Sequence, residues 1–282
     1  MAHGIGKSNI EDEIKSMRKF SNPIKSIPKY EYAERVKKAS VYMSENSIDA
    51  IFLSCSINLR YFTNLNIQMS ERLHSALIDK NGNLVYIVPS FEKEKTESII
   101  IIKGKIFTWE EHENPACTVM DCFSYLGITQ GRVLIDEYTP YFIFDALKNA
   151  NRNHLFLNAQ PLTKACREVK SKNELALIQN AMTRALEVQK RTSRILRAGI
   201  TTSEVQDFVS LAHQKLGFET PPEFNIVLFG EATAYPHGVS YNQTLKEGDM
   251  VLLDMGATVE GYYSDITRTY IFGTPTRKQC DI

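Results

Sequence analysis

The sequence predicts an α/β protein of two domains. Its 282 residues are enough to bury two hydrophobic cores. Between residues 48 and 150, short apolar strand-like runs alternate with helix-like segments, which is typical of an α/β domain with a parallel or mixed sheet. A long amphipathic helical pattern follows and leads into further strand-like segments. We expect an N-terminal extension over residues 1–28, a first domain over 29–160 and a second domain over 161–282.

The first 160 residues supply a regular series of elements. Ile10–Phe20 is predicted as a short helix capped by Asn9, and apolar residues at helical spacing predict a second helix over 30–46. Residues 158–162 predict a linker. The other elements expected here are strands at 48–53, 84–89, 106–109 and 133–136, and helices at 92–102, 118–126 and 141–150.

The second domain is predicted to open with two helices. The first runs to about Ala198, with Gly199 after its end, and its apolar face comprises positions 175, 178, 182, 185 and 188. Phe224–Gly230 is strand-like and leads towards the loop Pro236-His237-Gly238. The candidate helix caps are Ser171 or Asn173 for the first helix, and Thr201 or Thr202 for the second.

The stretch Met250–Phe272 predicts a β-hairpin. Two apolar, β-branched runs flank Glu260-Gly261, where a two-residue turn favours glycine. This register pairs Val259 with Tyr262, and Asp254 with Thr267. Asp265 is then the diagonal neighbour of Asp254, so both carboxylates lie on one face, about 6–8 Å apart at the backbone. A turn longer by two residues keeps them together, whereas a slip of one residue in a single strand separates them.

Two aspartates inside apolar strands require a physical reason. A buried carboxylate without a partner is unfavourable, and two neighbouring carboxylates also repel each other. A divalent cation removes both penalties, because carboxylate oxygen atoms are hard ligands. The alternative is that Asp265 pairs with Arg268 and that Asp254 caps a turn.

Composition excludes several classes of partner. Lysine plus arginine equals aspartate plus glutamate, at 33 each, so net charge attracts neither nucleic acid nor an anionic membrane. The five cysteines are scattered without a Cys-x-x-Cys pair, which indicates reduced thiols in a cytoplasmic protein rather than a disulfide framework. We find no apolar signal region and no apolar run of the roughly 20 residues that a membrane span needs.

Three motifs carry a resemblance to a known family. Gly248-Asp-x-Val-x-x-Asp-x-Gly-Ala257, followed by Gly261-Tyr-x-Ser-Asp-Ile-Thr-Arg-Thr269, closely resembles the metal hairpin of the creatinase/prolidase/methionine-aminopeptidase family, the pita-bread metallopeptidases. Ile57–Asn64 resembles the N-x-R-Y-x-T signature of the creatinase-type N-terminal domain. Arg167–Glu174 is similar to the start of the prolidase catalytic domain. The resemblance implies a creatinase-type N-terminal α/β domain followed by an incomplete pita-bread domain.

The resemblance also implies an activity. It makes Asp254 the first metal ligand and Asp265 the ligand that bridges two divalent ions, usually manganese, cobalt or zinc. The reaction would be hydrolysis of the peptide bond before proline in a proline-containing peptide, and the protein would be a homodimer. His237 lies in a loop that proline makes rigid on one side and glycine makes permissive on the other. The matching histidine of the family hydrogen-bonds the scissile region of the substrate.

The sequence departs from the family pattern in its ligand set. The family uses two aspartates, then a histidine and two glutamates, but no histidine follows His237 and no glutamate follows Glu260 before the sequence ends at Ile282. We therefore expect a C-terminally truncated protein that is inactive alone and binds metal weakly or not at all. The alternatives are a non-catalytic binding module or a lyase of the same fold, whereas metal-free creatinase chemistry does not explain two aspartates at metal positions.

Overall fold

A computed structural model of the chain describes residues 5–18, 20, 25–151, 153–219 and 221–281. Residues 1–4, 19 and 21–24 of the expected N-terminal extension lie outside this description. The chain forms two compact units. We call residues 27–170 the first unit, and residues 171–282 with the described part of 1–26 the second unit. No described helix is both long and apolar enough to cross a membrane.

The elements are numbered in chain order. The helices are α1 (Ile10–Ser16), α2 (Lys29–Glu45), α3 (Ile57–Thr63), α4 (Lys93–Ile99), α5 (Pro115–Tyr125), α6 (Tyr141–Ala150), α7 (Gln160–Arg167), α8 (Lys172–Ile195), α9 (Thr202–Leu216) and α10 (Arg277–Cys280). The strands are β1 (Ala50–Ser54), β2 (Ser75–Asp79), β3 (Leu84–Pro89), β4 (Lys105–Trp109), β5 (Gly131–Ile135), β6 (His154–Asn158), β7 (Phe224–Phe229), β8 (Met250–Gly256), β9 (Thr258–Val259), β10 (Tyr262–Tyr263) and β11 (Ile266–Ile271). Short 3-10 helices follow β3 and β7.

The first unit is built on a mixed six-stranded sheet in the order β4-β3-β2-β1-β5-β6. Strand β2 is antiparallel to both neighbours, and the other neighbouring pairs are parallel. Alternate side chains point to opposite faces, where two apolar clusters cover the sheet. One cluster includes residues of α2, α3 and α7, and the other includes residues of α5 and α6. The predicted mixed α/β architecture is confirmed.

The structure differs from the sequence prediction at several places in the first unit. Strands β2 and β6 were not predicted, and residues 158–162 are the end of β6 and the start of α7 rather than a linker. Pro161 is accommodated in the first turn of α7, where its missing N–H is not needed. Asp79 stabilises the turn between β2 and β3, because its Oδ1 accepts hydrogen bonds from the backbone N–H groups of Asn81 and Asn83. The predicted helix over 92–102 ends at Ile99.

Asp136 organises a buried polar network in the first unit. Its side chain accepts hydrogen bonds from Ser56 Oγ at 2.5 Å, Asn58 Nδ2 at 2.8 Å and the Tyr138 backbone N–H at 3.1 Å. Burial raises the pKa of Asp136, although these hydrogen bonds act in the opposite direction. The network ties the start of α3 to the end of β5 and satisfies a carboxyl group that would otherwise be unfavourable in the interior.

The N-terminal segment packs on its own chain. Asn9 caps α1 as predicted, accepting from the Asp12 N–H at 2.9 Å. Met17 is buried in the apolar cluster of α8 and α9. Glu13 is buried and its Oε2 lies 3.0 Å from Nη1 of Arg191 and 3.6 Å from Nη1 of Arg194. Helix α1 is therefore part of the second unit rather than a free tail.

The second unit has a three-stranded antiparallel sheet in the order β11-β8-β7. Apolar residues of α8 and α9 pack on the face that carries Val251, Leu253 and Met255. Ser171 caps α8 and Thr201 caps α9, each within a capping box closed by a glutamate.

The predicted apolar face of α8 is partly wrong, because Leu175 is 55% exposed. The buried stripe is rotated and includes the polar residues Arg184, Gln189 and Thr192, whose side chains form hydrogen bonds.

All five cysteines are free thiols. Cys117 in the first unit and Cys280 in the second are exposed, and the other three are buried. Burial raises the pKa of Cys55 to about 11 and that of Cys122 to about 12, and it also raises the pKa of Cys166. Reactivity towards electrophiles is therefore concentrated at the two exposed thiols.

Candidate metal centre

The hairpin around the two aspartates has the predicted register. Asp254 lies opposite Thr267, and Val259 lies opposite Tyr262. Asp265 immediately precedes β11, two residues before Thr267, which is the diagonal position relative to Asp254. This part of the sequence prediction is confirmed.

The hairpin is interrupted between its two paired parts, which the sequence did not predict. At this point the Ala257 N–H donates to the side-chain Oγ of Ser264 at 3.2 Å, while the Ser264 N–H donates to the Ala257 carbonyl at 2.9 Å. The neighbouring Gly256 has no room for a side chain, because a Cβ atom would lie 2.3 Å from the Phe224 ring and 2.5 Å from the Ser264 carbonyl oxygen. The Ser264 hydroxyl preserves the register through this crowded region, so both aspartates keep their relative positions.

Asp254 is held by a side-chain hydrogen bond across the strands. The Thr267 hydroxyl donates to its Oδ1 at 2.8 Å. Asp254 is half-buried and Asp265 is exposed. Among the described residues, no hydrogen bond or ion pair engages Asp265, and no ion pair engages Asp254.

The alternative interpretation of the two aspartates does not describe the structure. Arg268 forms no ion pair with Asp265 among the described residues, and its Nη1 donates to the backbone carbonyl of Thr267 at 2.8 Å. Asp254 does not cap a turn, since it lies within β8. Among the residues that the structure describes, neither carboxylate is engaged in an ion pair, and their carboxylate oxygen atoms are hard donors of the kind that a divalent cation prefers. The described residues contain no cluster of three or more potential ligands among histidine, cysteine, aspartate and glutamate.

His237 lies on an exposed turn between β7 and β8. The turn is closed by a hydrogen bond from the Gly238 N–H to the Tyr235 carbonyl at 3.0 Å, and Gly238 adopts φ of +82°, a conformation that favours glycine. A Cβ atom added to Gly238 would lie 3.8 Å from Cγ2 of Ile226. Ile226 is the direct cross-strand neighbour of Asp254, so the loop after His237 lies against the same row of the sheet.

Sequence reasoning missed the residues that support the hairpin from behind. Gln189 of α8 donates to backbone carbonyl groups of both β8 and β11. The Tyr262 hydroxyl donates to Oε1 of Glu174, in the first turn of α8, at 3.0 Å. Periodicity identifies a polar residue on a helix face but not its hydrogen-bond acceptor, so neither contact had a usable signal in the sequence.

Two family models match the chain. The Creatinase/Prolidase N-terminal domain matches residues 35–169, and Metallopeptidase family M24 matches residues 176–282.

Curated relatives include uncharacterized peptidases of Schizosaccharomyces pombe, 28% identical over 260 residues, and Staphylococcus epidermidis, 27% identical over 248 residues. The matched regions cover 87% and 88% of this chain, but 56% of the first relative and 69% of the second.

Solved structures support the same relationship. The dipeptidase of Pyrococcus horikoshii is 26% identical with a TM-score of 0.77, over 88% of this chain and 68% of that one. The Xaa-Pro dipeptidase of Bacillus anthracis is 25% identical with a TM-score of 0.75, over 90% of this chain and 68% of that one. The prolidase of Thermococcus sibiricus shares the fold, with a TM-score of 0.80 at 23% identity over 91% of this chain and 69% of that one. The family models and the solved structures agree: residues 35–169 match a creatinase/prolidase N-terminal domain, residues 176–282 match metallopeptidase family M24, and both regions together share the fold of the solved dipeptidases.

Proposed function

We propose that the chain is part of an Xaa-Pro metallopeptidase of the prolidase or aminopeptidase P type, which hydrolyses the peptide bond before proline. The observation that carries the proposal is the cross-strand row of Asp254 and Thr267, with Asp265 at the diagonal position. The similarity to a protein named Xaa-Pro dipeptidase supports this substrate class. The loop of His237 against Ile226 supports a role for that imidazole at the same face.

Each site residue has a distinct role in this proposal. Asp254 and Asp265 are the residues that would hold divalent metal ions, and manganese, cobalt and zinc are the ions we propose. Such ions, when bound, lower the pKa of a water molecule and polarise the substrate carbonyl. Thr267 restricts rotation of the Asp254 carboxylate through its hydrogen bond to Oδ1. His237 donates a hydrogen bond to the carbonyl oxygen of the scissile bond as negative charge develops there.

Proline at the second substrate position has a simple chemical consequence. Its nitrogen carries no hydrogen, so the scissile peptide group offers the enzyme an acceptor and no donor. A site built from a hydrogen-bond donor such as the His237 imidazole and from metal ions matches that pattern. We further propose that the protein is cytoplasmic and that the active assembly is a homodimer, since both are expected for this family.

In this proposal, Asp254 and Asp265 are two of the five ligands that the family pattern requires. Two carboxylates with water can hold a cation weakly, in the manner of a magnesium site, but do not fix a dinuclear pair. We propose that the polypeptide 1–282 binds a divalent ion weakly at Asp254 and Asp265 and does not hydrolyse Xaa-Pro dipeptides by itself.

The test is a titration of the ¹⁵N-labelled polypeptide 1–282 with Mn²⁺. Paramagnetic broadening should concentrate on the amide signals of residues 254–256 and 265–267, and it should disappear from them in Asp254→Asn and Asp265→Asn. Asp207→Asn is the matched control, because Asp207 is an exposed aspartate on α9. Broadening that does not depend on Asp254 or Asp265 would reject the proposed metal centre.

A second assay addresses the reaction. We expect the polypeptide 1–282 with Mn²⁺ to hydrolyse an Xaa-Pro dipeptide no faster than Mn²⁺ alone. Turnover at ordinary enzymatic rates would show that these residues suffice, and the proposed requirement for further ligands would be wrong.

A further inference from the structure

Gln189 is a buried polar residue in the middle of α8, and it contacts both strands of the metal hairpin. The residue is 5% exposed. Its Nε2 donates to the backbone carbonyl of Leu253 in β8 at 3.1 Å and to that of Ile266 in β11 at 2.9 Å. One amide nitrogen therefore connects the two strands from the helix side of the sheet.

The chemistry of these contacts requires an amide with its nitrogen towards the sheet. Both partners are carbonyl oxygen atoms, which only accept hydrogen bonds, and the amide nitrogen carries two hydrogens. The reverse orientation would place the Gln189 oxygen against two other oxygen atoms. In the present orientation Oε1 is buried and has no hydrogen-bond partner among the described residues. A buried amide oxygen without a hydrogen-bond partner is unfavourable. The two hydrogen bonds that Gln189 Nε2 donates are therefore the feature that explains a buried glutamine at this position.

The two carbonyl groups belong to specific peptide planes. The Leu253 carbonyl lies in the peptide group that leads into Asp254, and the Ile266 carbonyl lies in the one that leads into Thr267. Asp254 and Thr267 are direct cross-strand partners, joined by the hydrogen bond from Thr267 to Oδ1 of Asp254. Asp265 immediately precedes Ile266 in the chain. Gln189 therefore constrains the backbone on one side of the sheet at the row where the candidate ligands lie on the other side.

We propose that Gln189 is a positioning residue of the candidate metal centre, which orients Asp254 and Thr267 by holding the peptide groups before them. This inference rests on the proposed metal-binding role of Asp254 and Asp265. Residues outside the ligand set that orient metal ligands commonly change metal affinity by about 10–100-fold when they are replaced.

The experiment compares variants of the polypeptide 1–282 in the same Mn²⁺ titration. Gln189→Leu and Gln189→Met both remove the donors and keep an apolar side chain of similar size, and the flexible methionine covers the case in which leucine does not fold. Gln179→Leu makes the same change on the exposed side of α8. Val188→Ala perturbs the buried side of the same helix turn without removing the hydrogen bonds.

Affinity for Mn²⁺ separates positioning from stability. We expect the dissociation constant for Mn²⁺ to rise about tenfold in the Gln189 variants. Val188→Ala should lower the thermal midpoint but keep the wild-type dissociation constant, and Gln179→Leu should change neither. Wild-type Mn²⁺ affinity in both Gln189 variants, together with loss of binding in Asp254→Asn, would overturn the role of Gln189 and leave the metal centre intact.

Amide hydrogen exchange, measured in the absence of Mn²⁺, tests the effect of Gln189 on the two strands directly. Amide protons of β8 and β11 should exchange faster in Gln189→Leu than in Val188→Ala at matched thermal midpoints. Unchanged exchange in these strands would also overturn the proposal. If Asp254→Asn and Asp265→Asn bind Mn²⁺ like the wild type, the proposed function fails, and the role of Gln189 in metal positioning fails with it.

Discussion

In the first unit, apolar clusters cover the six-stranded sheet on both faces, and strands β2 and β3 are buried along their whole length. In the second unit, one face of the three-stranded sheet is covered by α8 and α9. Along β8, the residues on the other face, Met250, Leu252 and Asp254, are only half-buried, and Thr267 and Thr269 of β11 are exposed.

The two units differ in how their carboxyl groups are used. In the first unit, the buried carboxyl group of Asp136 accepts hydrogen bonds from three protein donors. The second unit leaves Asp265 exposed, and Asp254 has one donor from the described residues. In the sheet that is covered on both faces, this buried carboxyl group forms hydrogen bonds that stabilise the fold. In the sheet that is covered on one face, carboxylates remain accessible to an external ligand.

The largest loss of stability should come from a substitution in the six-stranded sheet of the first unit. Leu77 of β2 is fully buried, and Leu77→Ala should lower the free energy of unfolding by about 3 kcal/mol, because it removes packed atoms and leaves a cavity. The matched change on the partly open face, Leu252→Ala, should cost only about 1 kcal/mol. Urea denaturation followed by the fluorescence of Trp109, the only tryptophan, measures the first unit, and hydrogen exchange in β8 measures the second. Equal losses would contradict the contrast.

Glu13 tests whether α1 is an integral part of the second unit. The Glu13 side chain is 8% exposed and that of Arg191 is 14% exposed. Glu13→Ala removes one of the two carboxylates that pair with Arg191 and leaves it with Glu187 at 2.7 Å, so the variant should cost about 2 kcal/mol. Glu11→Ala on the same helix removes an exposed pair with Lys15 and should change stability by less than about 0.5 kcal/mol. Thermal unfolding of the two variants gives the comparison. If both have the wild-type midpoint, α1 does not stabilise this unit.

Acid should weaken the second unit through His213. This histidine is fully buried in α9, and burial lowers its pKa below the ordinary histidine value of about 6.5. Above that value both states are neutral and stability does not depend on this group. Below it the unfolded chain binds a proton that the folded chain does not, so stability falls by up to about 1.4 kcal/mol per pH unit until the folded pKa is reached.

The measurement is the free energy of unfolding between pH 7 and pH 5. His213→Leu should reduce its dependence on pH, whereas the exposed control His112→Gln should not. A wild-type slope in His213→Leu would assign the acid sensitivity to other groups. His74 in the first unit, whose pKa burial also lowers, contributes with the same sign.

The smallest effect on stability should come from the site itself. Thr267→Val keeps the shape of the side chain but removes the donor to Asp254. Thr267 is exposed, so we expect a change in the free energy of unfolding within about 0.5 kcal/mol. The Mn²⁺ dissociation constant should nevertheless rise severalfold, while Thr269→Val on the same face leaves it unchanged. A large loss of stability in Thr267→Val would mean that this row serves the fold.

The hairpin shows what the sequence can predict. The positions of Asp254 and Asp265 follow from strand alternation and from a glycine-containing turn, which are local rules. The cap residues Asn9, Ser171 and Thr201 follow from equally local chemistry.

Contacts between distant segments could not be predicted in this way. The buried stripe of α8 includes the polar residues Arg184 and Gln189, which donate to carbonyl groups outside the helix, and residue periodicity does not reveal those distant acceptors. Strand β2 was missed because its pairing with β1 and β3 decides its conformation more than its five residues do. The Ser264 hydroxyl replaces a backbone acceptor in the hairpin, and residue patterns do not reveal such a substitution.

The distribution of thiols has a practical consequence for spectroscopy. Cys117 and Cys280 are exposed in different units, while Cys55, Cys122 and Cys166 are buried with raised pKa values. A maleimide dye at neutral pH should therefore attach at two places in the native chain, one in each unit, without any engineered cysteine. A donor and an acceptor fluorophore at these positions would report the distance between the two units by energy transfer, and how that distance responds when a peptide or Mn²⁺ is added.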